Sequence, residues 1–315
     1  MTVSIIIPAH NAEAVLAQTI ESALNQTWPE TEIIVVDDKS TDETRAVADR
    51  YASAGVIVMS TPEGRSGACA ARNVGLDHAD GDCIQYLDAD DLMSSDKIET
   101  QLRVLQQCPE RTVASCPWGK FESDPEDTQM EQLAVFGDFA PTDWLITAWQ
   151  GGGMIQTACW LTPRRVAEAT GPWDESLKSN PADDGEYFSR VLLHSSGIRF
   201  CETARVYYRM PQDDNVSQNM SDEAVRSLFL TCEHYCQQIL PVEDSPRVRK
   251  ALARNYAVFA YRFFSSHRSL ADRALGRIGE LAVGPPATVG GSGFRRLSRL
   301  LGFERALRLR AKLRQ

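Results

Sequence analysis

The sequence has no long apolar run, and no segment approaches the roughly eighteen consecutive apolar residues of a membrane-spanning helix. Its N-terminus opens on a strand-like stretch instead of a signal peptide, so a cytosolic protein is expected. Net positive charge is missing too. A formal net charge of −10 argues against nucleic-acid binding by the body of the chain, because phosphate backbones are engaged mainly through Lys and Arg. The eight cysteines (69, 83, 108, 116, 159, 201, 232, 236) include no Cys-x-x-Cys pair and do not form a disulfide framework pattern. Cys232, His234 and Cys236 come nearest to a soft-metal cluster, but on a helix the two cysteines share a face and the histidine points elsewhere. The absence of a phosphate-loop signature and of Gly-x-Gly-x-x-Gly weakens nucleotide hydrolase and dinucleotide readings.

What is present is 315 residues of ordinary globular composition, enough for one large α/β domain plus an appendage. Val3 to Pro8 is a β-branched run that fits a buried strand, followed by a helical pattern with Leu16, Ile20, Ala23 and Leu24 on one side. Glu32 to Val36 repeats the strand signal and ends on Asp37-Asp38. Ser40 with Glu43 then predicts a capping box opening a helix through about Ala52. Val56 to Ser60 reads as a third strand, residues 64–67 as a Gly-rich loop, Ala68 to Ala79 as a helix and Cys83 to Leu87 as a fourth strand.

This alternation predicts an α/β fold with a mostly parallel sheet and helices on both faces, in which ligands gather at the strands' C-terminal ends. Pro8-Ala9-His10-Asn11, Asp37-Asp38, Gly64-Arg65-Ser66-Gly67 and Asp88-Ala89-Asp90 all follow predicted strands and should converge on one crevice. Further along come a helix over Lys97 to Gln107, a strand over Thr112 to Cys116, an acid-rich loop region at 119–150 and a strand over Met154 to Leu161. A turn at Gly171 to Glu175, a helix over 183–196, an extended segment from Arg199 to Met210 and a helical pattern from Glu223 to Phe264 complete the reading.

The chemistry concentrates in Tyr86-Leu87-Asp88-Ala89-Asp90-Asp91. Carboxylates this close raise one another's pKa values unless a cation compensates them. Mg²⁺ and Mn²⁺ prefer carboxylate oxygens and keep positions open for phosphate oxygens, so an Asp-x-Asp at a strand end suits a metal–diphosphate site. An acidic turn capping the helix that begins near Ser95 is the alternative reading.

Ser4-Ile-Ile-Ile-Pro-Ala-His-Asn11, Val35-Val-Asp-Asp-Lys-Ser-Thr-Asp42, Ala71-Arg-Asn-Val-Gly75, Tyr86 to Asp91 and Gly171-Pro-Trp-Asp-Glu-Ser-Leu177 together resemble glycosyltransferase family 2 over about residues 1–210. The resemblance implies a GT-A fold and an inverting transferase that uses a nucleotide-diphosphate sugar, with a UDP-sugar favoured, and Mn²⁺ or Mg²⁺. Carried onto this chain, it places Pro8, His10 and Asn11 at the nucleotide, Asp38 as an acceptor of hydrogen bonds from the base, and Asp90 as direct metal ligand. Asp88 falls near the ribose or the metal's water shell. Arg72 either meets the nucleotide or pins its loop. The family's Glu-Asp pair is replaced here by Asp183-Asp184, which leaves Asp184 as the base with Asp183 and Glu186 as alternatives. Trp173, Asp174 and Asp183 are expected on the acceptor side, burial in the core being the other reading for Trp173. The Gln-x-x-Arg-Trp motif of processive synthases is missing, which favours single addition to a glycan or lipid-linked acceptor in polysaccharide synthesis. A catalytically silent nucleotide-sugar or glycan-binding protein is the competing function.

A catalytic domain is expected at 1–220, with a nucleotide half at 1–115 and an acceptor half at 116–220. A helical extension at 221–283 and a Gly/Pro linker with a basic tail at 284–315 follow. Phe294 to Gln315 holds eight Arg or Lys and one acid, interleaved with Leu297, Leu300, Leu301, Phe303, Leu307 and Leu313. Such a helix can lie peripherally on an anionic membrane surface or dock on the acidic body.

Overall fold

The computed structural model describes residues 1–177, 181–210, 221–282 and 289–313. Its first elements are β1 (Val3–Ala9), α1 (Leu16–Leu24), β2 (Thr31–Asp37), α2 (Thr44–Asp49), β3 (Ile57–Ser60), α3 (Ala68–His78) and β4 (Cys83–Tyr86), the alternation expected. They continue with β5 (Leu92–Met93), α4 (Lys97–Leu105), β6 (Thr112–Ser115), β7 (Trp118–Phe121), β8 (Gln129–Met130), α5 (Pro141–Thr147), β9 (Thr162–Pro163), α6 (Arg164–Thr170) and α7 (Asp183–His194). After β10 (Gly197–Phe200) and β11 (Val206–Arg209) the described chain is helical: α8 (Asp222–Ile239), α9 (Pro246–Phe263), α10 (Arg268–Leu281), α11 (Ser292–Leu301) and α12 (Phe303–Lys312).

The main sheet runs β3-β2-β1-β4-β9, parallel except for β9. β1 is buried along its whole length, as its Val- and Ile-rich run fits in a sheet covered on both faces. A second sheet, β5-β11-β7-β8, and the parallel pair β10-β6 flank it. The link between sheets matters for the site, because β11 closes against β5 directly after the Asp88 to Asp91 turn.

Four sequence expectations are corrected. The capping box does not form. Ser40 Oγ accepts the Asn11 backbone N–H at 3.0 Å instead, and Asp42 Oδ1 receives the Thr44 N–H at 3.0 Å as α2 begins. Met154 to Leu161 is not a strand. Gln85 and Gln101 amides donate to the carbonyls of Ala158 and Cys159 at 2.8 and 2.9 Å, so the buried backbone there is satisfied by side chains and turns helically at Thr157–Cys159. Lys97, buried between the two glutamines, donates to the oxygen of each amide and so sets their orientation. The 119–150 region carries β7, β8 and α5, and the helical run from Glu223 breaks after Ile239, where Pro241 cannot donate a helix hydrogen bond.

The tail is two helices, since Gly302 takes φ +81° between them. α12 docks on the body through buried Phe303, Ala306 and Leu307, with the Arg310 guanidinium 3.9 Å from the centre of the Tyr261 ring. α11 buries none of its residues and leaves Leu300 82% and Leu301 41% exposed. The basic tail is therefore docked through α12 and through Phe294 of α11, whose ring lies 4.7 Å from that of Tyr261, while the leucine edge of α11 stays exposed.

Candidate functional site

The loops after β1 and β2 are tied together by polar side chains. Asn11 sits at φ 49°, a left-handed conformation that Asn tolerates better than most residues, and its Oδ1 accepts the Thr41 N–H at 2.8 Å. His10 is exposed, and its Nδ1 lies 2.7 Å from the Asp38 carbonyl oxygen. A carbonyl can only accept, so the neutral ring carries its proton on Nδ1 and presents Nε2 as an acceptor. Pro8 is covered within β1, so its ring does not line an open pocket as the sequence suggested, and of the two only His10 is exposed. The Asp38 carboxylate accepts Thr61 Oγ at 2.7 Å and the Gly67 N–H at 2.6 Å, fixing the 61–67 loop. Each oxygen keeps a further lone pair.

Arg72, from the Ala71 to Gly75 motif, neither pins its own loop nor stands alone. It donates to Asp88 at 2.8 Å and to Asp183, 111 positions further along the chain, at 2.9 Å. Burial would weaken its charge, but the Asp183 and Asp88 carboxylates outweigh that and raise its pKa further. The same helix supplies Asn73, which accepts the Trp173 N–H at 2.8 Å and donates to the Trp173 carbonyl at 3.0 Å. Gly75 follows because α3 lies so close to β1 that a Cβ there would sit 2.4 Å from Ile6 Cγ2. One motif thus provides a charge, a backbone clamp and a close packing point.

Trp173 is 2% exposed. Its ring stacks on Tyr187 at 3.9 Å between centroids, and the Arg72 guanidinium lies 4.4 Å from its centre. With its ring covered it has no surface for an acceptor sugar, and the burial reading holds. Asp174, expected on the acceptor side, lines a different cavity from Asp184. It accepts the Ser176 N–H at 2.9 Å, faces His234 at 3.6 Å, and lines a polar hollow shared with Arg65, Glu175 and Arg190, a cavity that Asp184 does not border.

The acid pair at the start of α7 divides its work. Asp183 is engaged by Arg72, by the Cys69 thiol at 3.4 Å and by the Asp184 N–H at 2.8 Å. Glu186 is buried and held by both ends of the Arg190 guanidinium at 2.9 and 2.8 Å and by the Gln238 amide at 2.6 Å. Burial works to raise Glu186, but His234 and Arg190 hold it below the usual range. Asp184 accepts only its neighbour's N–H, from Gly185 at 2.7 Å, among the hydrogen bonds described. Burial first, and the Asp183 charge second, lift its pKa to about 7. Asp184 also borders an apolar cavity of about 310 Å³ between α5, α7, α8 and α9, which nothing in the sequence pattern announced.

In the Asp88 to Asp91 turn, Asp91 accepts the Arg209 N–H of β11 at 3.1 Å. Burial, then Asp90 and Asp88, push its carboxyl well above the usual range. Asp88 and Asp90 are partly exposed. Among the described residues no group of three His, Cys, Asp or Glu side chains converges as a ligand set. Cys236 faces the Tyr256 hydroxyl at 3.4 Å and His234 faces Glu186 and Asp174, so the Cys232, His234, Cys236 trio is not a zinc site. The carboxylates of Asp88 and Asp90 would suit a hard cation such as Mn²⁺ or Mg²⁺ that also took diphosphate oxygens, and do not make a closed structural site.

A parallel sheet with carboxylates at its strand ends, backed by a second sheet and a helical C-terminal region, defines a GT-A fold. Residues 4–169 match the sequence profile of "Glycosyl transferase family 2", and the chain belongs to that family. It is 42% identical over 107 residues to an uncharacterized glycosyltransferase of Haemophilus influenzae, covering 33% of this chain and 42% of that protein. It is 38% identical over 103 residues to the UDP-Glc:alpha-D-GlcNAc-diphosphoundecaprenol beta-1,3-glucosyltransferase WfgD of Escherichia coli, covering 33% and 40%. These matches span about two-fifths of the relatives' own length. The TarS 1–349 structure from S. aureus, in complex with UDP-GlcNAc, superimposes with a TM-score of 0.73 at 17% identity, covering 100% of this chain and 92% of that one. The likeness extends the shared fold through the C-terminal helices.

Proposed function

We propose that the chain transfers a sugar from a nucleoside-diphosphate donor, a UDP-sugar first among the candidates, to an acceptor hydroxyl with inversion, in the synthesis of a cell-surface polysaccharide or glycan. The observation that carries this reading is the Arg72 bridge. It joins Asp88, on the turn where a donor diphosphate would lie, to Asp183, whose neighbour Asp184 is, among the described residues, the recessed carboxylate of α7 not paired with a cation. The donor turn and the acid pair of α7 are thereby held next to each other.

His10 Nε2 and Asp38 would recognise the base, with Asn11 fixing their loop. Asp90 and Asp88 would hold Mn²⁺ or Mg²⁺, which when bound offsets the charge that builds on the departing diphosphate. Asp184 would take the acceptor proton during attack from the face opposite the leaving group. A carboxylate lifted to about 7 is a better base at neutral pH than an ordinary Asp. Asp183 then acts as the positioning partner that fixes Arg72 beside it. Support for a UDP donor and a diphospholipid-linked acceptor comes from the activity named for WfgD, and for UDP-GlcNAc from the TarS complex. In this reading residues 1–220 form the catalytic unit, and the exposed basic face of α11 rests on an anionic membrane surface at the cytosolic side. Among the described residues no helix is long and apolar enough to cross a membrane.

The test is a panel of nucleotide sugars scored for Mn²⁺-dependent thermal stabilisation, followed by donor hydrolysis without acceptor. A ligand of the native state raises its melting temperature. Stabilisation by one donor with slow hydrolysis is expected. Stabilisation without any hydrolysis or transfer would indicate a silent binding protein, and no response to any nucleotide sugar would contradict the proposal.

A further inference from the structure

The cavity beside Asp184 has an unusual composition for a sugar site. Trp144, Trp149, Trp160 and Phe188 form much of its wall, and its mouth is rimmed by Met154 and Val258, which are 59% and 40% exposed. Polar side chains of α9, Arg254 and Asn255 next to each other and Arg262 two turns on, border this apolar setting. The Arg254 guanidinium donates to the Trp149 carbonyl at 2.7 Å, but its buried Nε has no hydrogen-bond partner, and among the described residues no carboxylate pairs with it. Asn255 Nδ2, next along the helix, is likewise buried without a partner. Unmet donors at the edge of an apolar cavity are costly unless a ligand supplies acceptors. Burial depresses the Arg254 pKa, with no carboxylate to counter it.

The same helix carries a second indication. Val258 and Arg262 line the cavity, while Tyr261, in the same turn of α9, is the residue on which the Arg310 side chain of α12 docks. The exposed leucines of α11, Leu300 and Leu301, stand among Arg295, Arg296 and Arg299, and α11 is packed against α12. The cavity mouth and the basic apolar tail therefore belong to one end of the molecule.

On the strength of the transferase reading above, we infer that the cavity between α5, α7, α8 and α9 holds the aglycone of the acceptor, a phosphate-bearing lipid chain whose sugar reaches Asp184. The apolar wall takes the first carbons of the chain, and Arg254, Asn255 and Arg262 take the phosphate oxygens. A volume of about 310 Å³ admits the sugar-proximal part of such a chain, and the remainder leaves between Met154 and Val258 toward the tail.

The probe is decyl phosphate below its micelle concentration, titrated against the full-length protein with UDP and Mn²⁺ present so that the donor site is filled. Tryptophan fluorescence reads the cavity directly. Decyl phosphate should bind at least tenfold more tightly than decanol or inorganic phosphate. Val258→Asp should remove the binding while melting and UDP affinity stay as in wild type, and Arg254→Gln should erase the preference over decanol. Equal binding of decanol and decyl phosphate, or a Val258→Asp variant that binds like wild type, would overturn the inference. Intact UDP binding with no response to decyl phosphate defeats this inference alone, whereas wild type that fails to bind UDP defeats the donor-site reading first.

Discussion

In the proposed function Asp184 is the base, because its neighbours in sequence and space are already engaged. Its native pKa of about 7 has two consequences. Activity measured as kcat/KM should rise with pH through a limb near 7, as the base loses its proton, and Asp184→Asn should bind donor yet turn over about a hundredfold or more slower, without that limb. An unchanged pH profile in the variant would move the base elsewhere. The second consequence is on stability. A carboxyl with a native pKa above its unfolded value contributes stability that is fully present below the usual Asp range and lost as pH rises through about 7. Asp184→Asn should therefore melt above wild type at pH 8, by about 2 °C or more, with the advantage shrinking as pH falls toward 4. A constant difference across that range would show that Asp184 is not held in this way.

At the scale of elements, α3 is the part whose sequence can be read most completely against its packing. Arg72, Asn73 and Gly75 each meet a different neighbour, and Gly75→Ala should cost about 1–3 kcal/mol in denaturant unfolding because the added methyl falls on Ile6 in the middle of β1. A neutral result would mean that α3 can shift freely on the sheet. The tail makes the opposite case. α12 is fixed by Phe303 and Leu307, but α11 keeps an exposed apolar edge among arginines, so Leu300→Glu with Leu301→Glu should abolish sedimentation with anionic vesicles and leave the melting temperature unchanged. Binding in wild type should weaken with salt. Wild type that ignores anionic vesicles at low salt would remove the membrane role. The βαβ alternation was legible because buried parallel strands and amphipathic helices differ in period. Met154 to Leu161 misled because an apolar run reports burial and not backbone conformation, and here Gln85 and Gln101, far away in sequence, satisfied its carbonyls.

For the whole molecule, the strand-end residues His10, Asp38, Asp88 and Asp90 could be picked out because position in a parallel sheet and residue type point to the same place. The pairings could not. Which of Asp183, Asp184 and Glu186 is left available depends on Arg72, Arg190, His234 and Gln238, contacts made across separate elements, and the covering of Trp173 depends on Tyr187 and Arg72 closing over its ring. The apolar cavity arises only when α8 and α9 fold back on α5 and α7. The central claim is that these strand ends form a metal-assisted nucleoside-diphosphate site. Calorimetric titration of UDP, with and without Mn²⁺, into wild type and Asp90→Ala tests it most directly. The account predicts binding in wild type that needs Mn²⁺ and is weakened at least tenfold in Asp90→Ala, whose melting temperature is otherwise preserved; equal, Mn²⁺-dependent UDP affinity in the two proteins would contradict it.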